Sequence, residues 1–357
     1  MLIALEGNIM RAFKRDIDAL EKLYEGRRVF FGELHDHAST GGTSDGGRTL
    51  DQWLAAMEVL GLDFAAILDH RQVRHMYLPQ WKDGVFLGGT EPGTKIADST
   101  ADHPFLHYNM IFEGPKPLEE LLEKFEEFKF EGGSEGHFTY PKFTRERFCE
   151  LISYVNDHGG FFVHPHPKQV MVSNDPLDYW FCDNTGIEVF YNRPESKYSE
   201  DDYRLWVELL SLGKRVWACA GGDLHCCASN KCLTSVFAAE KKNGEYLKSL
   251  RVGDFVCGGV AMKMCIGDTA MGSSCSFDGK RLVVGVDSFH ESLRDPVHRF
   301  KLVIYADKDI VLEKKISCTE KSYVAIDCDA TVKFYRAEVI DTSRDLRIAV
   351  GNPIWND

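Results

Sequence analysis

The sequence predicts an α/β domain, either a barrel or a doubly wound parallel sheet, followed by a smaller antiparallel β domain. Three observations favour this arrangement of an α/β domain followed by a β domain. Short apolar runs alternate with helix-like segments for more than two hundred residues, these runs are apolar throughout as in strands covered on both faces, and the chain beyond residue 253 has strand-like runs without a helical stretch. We therefore expect domains at residues 1–255 and 256–357 of the 357-residue chain.

The first domain is built from a repeated helix and strand pattern. Apolar residues at helical spacing predict helices at 9–26, 48–62, 116–130, 143–160 and 199–213. Thr144 is a suitable N-cap for the fourth helix, and Gly61 is a suitable end for the second. The strands that follow are DFAAILDH, FFVHP, GIEVFYN and RVWACAGGD. Strands that alternate with helices predict parallel βα units.

The second domain is predicted from strand-like runs separated by turn residues. Its clearest runs are RLVVGVDSF, RFKLVIYAD, YVAIDCD, VKFYRAEVI and RIAVGN. Several short strands without an intervening helix are typical of a small antiparallel β-sandwich.

Composition and charge narrow the choice of partners. The net charge is −13 and no run of five or more Lys or Arg occurs, so we expect no stable complex with nucleic acid, although a single-stranded end held locally stays possible. The sequence shows neither a signal-peptide pattern nor an apolar stretch of about 18 residues, so we expect no membrane partner and a cytoplasmic location. Eleven scattered cysteines favour reduced thiols.

Imidazole and carboxylate groups stand where the apolar runs end. The carboxyl ends of parallel strands meet at one edge of a sheet, so these side chains are expected to converge. Together they form a ligand set that suits Zn²⁺, Mn²⁺ or Fe. The residues are His35, His37, Asp69, His70, Glu91, His107, His164, His166, Asp223 and His225.

The order of these motifs resembles a known family. HDH after a strand, LDH, a lone Glu in a glycine-rich turn, a strand His, VHP and GGDLH resemble the polymerase and histidinol phosphatase (PHP) superfamily of metal-dependent phosphoesterases, over about residues 29–260. The resemblance implies a distorted (β/α)7 TIM-like barrel with metal ions at its open end. MGSS and GNPIW in the second domain look like the β-rich C-terminal region of stand-alone PHP metallohydrolases, including those grouped with carbaryl hydrolase.

The resemblance also implies a ligand set for two or three divalent ions of Mn, Fe or Zn. One ion would take His35, His37, Glu91 and Asp223. A second would share Glu91 and add His107 and His164, which is preferred to His166 because His166 lies further along the exit loop. A third would take Asp45, His70 and His225, and the site would hold two ions if the loop with Asp45 points elsewhere.

The chemistry expected at such ions is the attack of an activated water on phosphorus. Glu91 and Asp223 would be essential, and Asp36, His166 or a water would protonate the leaving oxygen. Four cations near strand ends are candidates for binding phosphoryl oxygens, although a solvated loop charge is the usual fate of such residues. They are Arg71, Lys95, Lys168 and Arg193.

Three functions are therefore compared. The first is a metal-dependent phosphoesterase for a small phosphomonoester or phosphodiester. The second is a hydrolase of a carbon ester, carbamate or amide that uses the same activated water. The third is a non-catalytic metal-binding or interaction protein. Specificity is expected to reside in the loops at 71–88, 93–104 and 131–143, whose shape the sequence does not determine.

Overall fold

The computed structural model describes residues 2–99, 101, 104–128, 141–294 and 297–357, with the backbone alone for residues 2–11. The loop at 131–143 and the end of the predicted helix at 116–130 therefore lie partly outside the described residues. The helices are α1 (Leu2–Leu23), α2 (Leu50–Leu60), α3 (Pro115–Lys124), α4 (Arg145–Asp157), α5 (Pro167–Val170), α6 (Lys197–Ser211) and α7 (Asn243–Arg251).

The strands fall into three sheets. In chain order they are β1 (Arg28–Asp36), β2 (Phe64–Ile67), β3 (Phe86–Thr90), β4 (Gly93–Ile96), β5 (Phe105–His107), β6 (Asn109–Phe112), β7 (Lys142–Phe143), β8 (Phe161–His164), β9 (Thr185–Tyr191), β10 (Val216–Gly221) and β11 (Thr234–Ala238). They continue as β12 (Phe255–Gly258), β13 (Val260–Ile266), β14 (Thr269–Ala270), β15 (Arg281–Phe289), β16 (Phe300–Ala306), β17 (Asp309–Ile316), β18 (Ser322–Asp327), β19 (Phe334–Asp341), β20 (Leu346–Gly351) and β21 (Ile354–Trp355).

Local sequence explains where the helices begin and end. Thr49 caps α2 through a capping box with Gln52, and Gly61 ends the same helix in the left-handed conformation with φ 69°. Thr144 accepts a hydrogen bond from the backbone N–H of Arg147 and so caps α4, as its position predicts. No helix in the described part of the chain has the length and apolar character that a membrane span requires.

The large sheet has the order β10-β9-β8-β6-β3-β2-β1-β11-β12-β20-β19-β16-β17. Within it β1, β2 and β3 are parallel to one another, as are β8, β9 and β10. Strand β6 lies antiparallel between β3 and β8, so the two parallel sets share one direction. Their carboxyl ends therefore meet at one edge, and β6 begins there.

The fold is mixed α/β with an open sheet, and the predicted (β/α)7 TIM-like barrel is not confirmed. Seven strands from β10 to β1 curve so that the two ends approach each other, but β1 and β10 form no strand ladder. The end of β1 instead meets the segment after β10 in an isolated parallel bridge between Asp36 and Leu224, with backbone hydrogen bonds from Asp223 N to His35 O and from His37 N to Leu224 O. The sheet does not close because β1 pairs on its other side with β11 and passes into the C-terminal strands. The antiparallel β6 also departs from a regular βα barrel.

The C-terminal strands form two layers. The four-stranded sheet β14-β13-β15-β18 shares an apolar core with β16, β19 and β20 of the large sheet, as Met264, Val284 and Ile304 illustrate. The predicted boundary between residues 255 and 256 falls inside β12, which pairs with both β11 and β20. Leu20, at the end of α1, also packs in this second core. The first helix thus joins the C-terminal layer, a contact between distant segments that local sequence does not indicate.

Candidate metal centre

Three groups of potential metal ligands lie at the shared carboxyl edge of the parallel strands. In each group, one ligand atom per residue can be chosen so that all of them lie within 4.8 Å of one another. The inner group is His35, His37, Glu91 and Asp223; the second group is Glu91, His107 and His166; and the outer group is His37, Asp45, His70 and His225. Glu91 is common to the first two groups, and His37 is common to the first and third.

The inner group is buried and closely spaced. Nε2 of His37 lies 3.2 Å from Oε2 of Glu91 and 3.1 Å from Oδ1 of Asp223. Nε2 of His35 lies 3.3 Å from the same Glu91 oxygen. These atoms converge on one point because β1, β3 and β10 end together.

The polar atoms of this group fit a divalent cation. Nε2 of His35, both ring nitrogens of His37 and Oδ1 of Asp223 are buried without a hydrogen-bond partner among the described residues. Buried polar atoms are normally satisfied, and imidazole nitrogens with carboxylate oxygens are the donors that Zn²⁺, Mn²⁺ and Fe accept. The residues present thus suit a bound metal.

Electrostatics at the inner group favours positive charge. Burial lowers the pKa of His37, but the adjacent Asp223 and Glu91 carboxylates outweigh it and raise that pKa to about 9. Burial raises the pKa of Glu91, but the neighbouring His35 and His107 bring it well below its usual range. A site that holds protons this firmly attracts cations, and a metal ion would replace those protons.

The outer group is completed by Asp45. One carboxylate oxygen, Oδ2, lies 3.3 Å from Nε2 of His70 and 3.3 Å from Nε2 of His225. Gly46 permits this placement, because a Cβ atom there would lie 2.4 Å from the backbone nitrogen of Ala38. The loop therefore returns against the end of β1 and brings Asp45 to the other ligands, although its side chain is 51% exposed.

The second group contains His166 where the sequence favoured His164. Nε2 of His166 lies 3.1 Å from Oε1 of Glu91, and Nδ1 of His107 lies 2.8 Å from the same oxygen. His166 adopts φ 30°, a left-handed conformation that turns the chain just after β8. This turn directs its ring towards Glu91, so the expectation that His166 lies too far along the loop is not met.

His164 faces an aromatic layer behind the strand. Its ring stacks on Phe181 with centroids 5.7 Å apart and contacts Phe162, two residues earlier on the same face of β8. Burial lowers the pKa of His164 to about 3. A neutral, packed imidazole in this layer belongs to none of the three groups.

Two residues of β9 contact the candidate ligands His35 and Asp223 and hold their side chains in place. Glu188 Oε1 lies 2.7 Å from Nδ1 of His35, and the Tyr191 hydroxyl donates to Oδ2 of Asp223 at 3.0 Å. The β9–β10 pairing slips by one residue at Val189, and this bulge allows Glu188 and Tyr191 to face the same site. Gly221 leaves room for the contact, since a Cβ atom there would lie 2.0 Å from Glu188 Oε1.

Sequence reasoning missed both supporting residues. GIEVFYN was interpreted only as a buried strand, yet Glu188 is a charged residue inside an otherwise apolar run. A buried carboxylate needs a hydrogen-bond or charge partner, so the Glu in this apolar run is the sequence feature that indicates a contact with the site.

A cavity of about 520 Å³ opens beside the outer group. Its lining comprises Gly42, Thr43, Ser44, Asp45, His70, Arg71, Gly93 and His107. Among the four cations proposed from the sequence, Arg71 alone is part of this lining. Lys168 donates to the backbone oxygen of Ser173 and lies over the Tyr179 ring, while Arg193 is exposed on the loop after β9.

Comparison with known proteins finds partial likeness to several solved structures, including two endonuclease structures. No family model matches the chain, and no curated protein matches it. One structure is endonuclease Q in complex with a 27-mer duplex substrate that has an abasic lesion at the active site, with 14% identity, 64% of this chain and 58% of that chain covered, and a TM-score of 0.45. The other is the lesion-specific endonuclease Q of Pyrococcus furiosus, with 15% identity, 64% and 57% coverage, and a TM-score of 0.44. The chain spans less than two thirds of the length of either.

These findings correct part of the sequence interpretation. Two expectations are contradicted, namely the small phosphorylated or ester substrate and the lack of a stable nucleic-acid complex: the two structures named above are endonucleases, and one is in complex with a duplex substrate. The narrower assignment to stand-alone, small-substrate PHP enzymes is not supported either. The three ligand groups fit the metal-binding character that the PHP resemblance implies.

Proposed function

We propose that this chain is a metal-dependent hydrolase that cleaves phosphodiester bonds in a nucleic acid. The observation that carries the proposal is the linkage of three ligand groups through Glu91 and His37 at one edge of the sheet. Divalent cations bound there would lower the pKa of a water molecule to make a nucleophile and would neutralise charge on the phosphoryl oxygens.

Glu91 is assigned the bridging role. Its Oε2 faces His35 and His37, whereas its Oε1 faces His107 and His166. A carboxylate with one oxygen in each group would help to hold a cation in either group. Removing it would disturb both sites at once, which makes Glu91 the most sensitive single ligand.

The candidate ligands differ in their exposure to solvent. His35, His37 and Glu91 are at most 1% exposed, so their geometry is fixed before substrate arrives. The outer ligands His70 and His225 are 24% and 34% exposed, and His70 lines the cavity. Arg71 in the cavity wall would hold a non-bridging phosphoryl oxygen with its guanidinium group.

The cavity size bears on the form of the substrate. A volume of about 520 Å³ lies within the range of about 300 to 1,000 Å³ that small-molecule pockets have, which favours entry of a single nucleotide over a whole duplex. Because the similar solved structures are DNA endonucleases, we propose DNA presented as a single strand or an extruded nucleotide. A chain with net charge −13 would bind such a substrate locally at the site.

The test is cleavage of labelled oligonucleotides by protein loaded with Mn²⁺, Zn²⁺ or Fe²⁺. Single-stranded DNA, duplex DNA and duplex DNA with an abasic site would be compared on a denaturing gel. We expect metal-dependent cleavage that falls at least about 100-fold in Glu91→Gln and Asp223→Asn, in line with loss of an essential charge-stabilising group. The exposed change Glu195→Gln, purified in the same way, is the control for contaminating nucleases. Cleavage that persists in both ligand variants, or none with any metal, would overturn the proposal.

A further inference from the structure

A small three-stranded sheet, β5-β4-β7, lies beside the metal centre. One face of this sheet is apolar and buried against the main core. Thr94 and Ile96 of β4, Leu106 of β5 and Phe143 of β7 make up this inner face, with exposure of at most 2%. The alternation of strand side chains therefore fixes which residues point outward.

The outward face carries a different chemistry. In the β4–β5 pair, Gly93 is opposite His107 and Lys95 is opposite Phe105. In the parallel β4–β7 pair, Lys95 is beside Lys142. Both lysines are exposed and Phe105 is partly exposed. We call Lys95, Phe105 and Lys142 the lysine–phenylalanine face.

This face is continuous with the metal centre through His107. The His107 ring lies edge-on to Phe105 with centroids 5.1 Å apart, and its Nδ1 is 2.8 Å from Oε1 of Glu91. Lys95 and His107 are diagonal neighbours across two antiparallel strands, a relationship that separates residues by about 7–8 Å. The spacing between these two residues is of the order of one nucleotide step.

The two lysines give this face a local positive charge. Lys95 and Lys142 are neighbours across two parallel strands and both are exposed, so their ammonium groups form a surface that an anion would complement. An aromatic ring next to two cations is the combination by which proteins hold single-stranded nucleic acid, since bases stack on the ring and phosphates meet the cations.

We propose that the lysine–phenylalanine face binds a single-stranded stretch of nucleic acid next to the bond that is cleaved. Lys95 and Lys142 contact two successive phosphates, and one base packs on Phe105. This inference rests on the proposed function, because it names the surface that leads the substrate to the same metal centre. It assigns Lys95 and Lys142 as binding residues, without a role in the chemical step.

Equilibrium binding without hydrolysis tests the surface separately from catalysis. A fluorescent single-stranded 12-mer would be titrated with the full-length Asp223→Asn protein, and anisotropy would be recorded at several salt concentrations. The Lys95→Gln/Lys142→Gln double variant should reduce the slope of log affinity against log salt by about 1.4, because each single-strand phosphate contact contributes about 0.7. Lys308→Gln/Lys315→Gln removes the same charge from exposed positions of the β16–β17 hairpin and should leave the slope unchanged.

The aromatic contribution has its own pair of variants. Phe105→Leu should weaken binding about 5-fold or more at every salt concentration without changing the slope, because stacking of one base contributes at least about 1 kcal/mol. Phe105→Tyr keeps a ring and should restore the affinity. Thermal unfolding monitored by circular dichroism would verify that each variant is folded.

The outcomes separate the two proposals. Normal metal-dependent cleavage by the wild-type protein with an unaltered salt slope in the double lysine variant overturns the binding surface and leaves the proposed function intact. Salt-sensitive binding that depends on the lysines, without cleavage under any metal, supports the surface and contradicts the proposed function. Absence of measurable binding of the 12-mer at low salt overturns the surface.

Discussion

The Oε1 atom of Glu188 lies 2.7 Å from Nδ1 of His35, and its Oε2 accepts a hydrogen bond from the backbone N–H of His166 at 2.9 Å. The first contact holds the His35 ring so that Nε2 points at the inner ligand group. The second contact holds the turn that carries a ligand of the second group. One carboxylate thus orients two parts of the candidate metal centre.

Glu188→Gln is expected to weaken metal binding without abolishing the fold. The amide cannot accept the His166 N–H and orient His35 at the same time as the carboxylate does, and loss of such supporting contacts lowers metal affinity by about 10- to 100-fold. Competition with a chromophoric chelator would measure the affinity for Mn²⁺ or Zn²⁺. Glu195→Gln, an exposed change further along the same segment, is the control. Equal affinity in wild type and Glu188→Gln would show that Glu188 does not support the ligands.

Variants of His164 and His166, which flank Pro165, test which of the two histidines binds metal and which only packs in the core. His166→Asn should remove about one equivalent of bound metal, because it deletes an imidazole beside Glu91. His164→Phe should keep the metal content, since the new ring would join Phe162 and Phe181 in an aromatic layer. Elemental analysis of both proteins after identical loading would decide. Loss of metal in His164→Phe with retention in His166→Asn would reverse the assignment.

The outer ion is expected to leave first on chelation. Asp45 is 51% exposed whereas Glu91 is 1% exposed, so a chelator reaches the outer group more readily. Graded dialysis against a mild chelator should remove about one equivalent early, and Asp45→Asn should lack this early step from the start. Bound metal would be followed by mass spectrometry of the elements. Simultaneous release of all metal from the wild-type protein would argue against a separate outer site.

His75 provides a pH test that lies outside the ligand groups. Burial is the main cause that lowers the pKa of His75 to about 4, from 6.5 for an unperturbed group. Above pH 6.5 this residue is neutral in both states, whereas between pH 6.5 and 4 the unfolded chain takes up a proton that the folded chain does not. The free energy of unfolding should therefore decrease as the pH is lowered from 6.5 to 4, by up to about 3 kcal/mol.

Denaturant unfolding of metal-free protein at pH 7.5, 6 and 4.5 would measure this effect. His75→Leu replaces the imidazole beside Trp81 with an apolar side chain and should show a smaller loss of stability on acidification. Parallel losses in wild type and His75→Leu would mean that other groups cause the acid sensitivity.

The convergence of the candidate ligands follows from the sequence more readily than the topology that produces it. His35, His37, Glu91, His107 and Asp223 each follow or end an apolar run, and a shared strand direction is enough to bring such residues together. The reversed strand β6 still contributes, because His107 precedes it and so lies at the same edge. Whether the sheet closes depends instead on the partner that β1 selects on its other side, which is β11.

The choice between His164 and His166 cannot be made from local sequence. Both residues follow the same strand, and the choice depends on a backbone turn at His166 and on the aromatic layer that receives His164. Asp45 illustrates the opposite case, since its loop reaches the ligands only because Gly46 packs against Ala38. Such contacts are set by residues distant in sequence.

The most direct measurement is cleavage of a fluorescent single-stranded oligonucleotide during stepwise reloading of metal-free protein with Mn²⁺, with bound metal determined on the same samples. We expect no cleavage at zero occupancy and an increase in rate as the linked groups fill. We expect little bound metal and little cleavage in Glu91→Gln, because this residue belongs to both the inner and the second group. A fully loaded protein that leaves the oligonucleotide intact, or a metal-free protein that cleaves it as fast, would contradict the assignment of a metal-dependent phosphodiesterase.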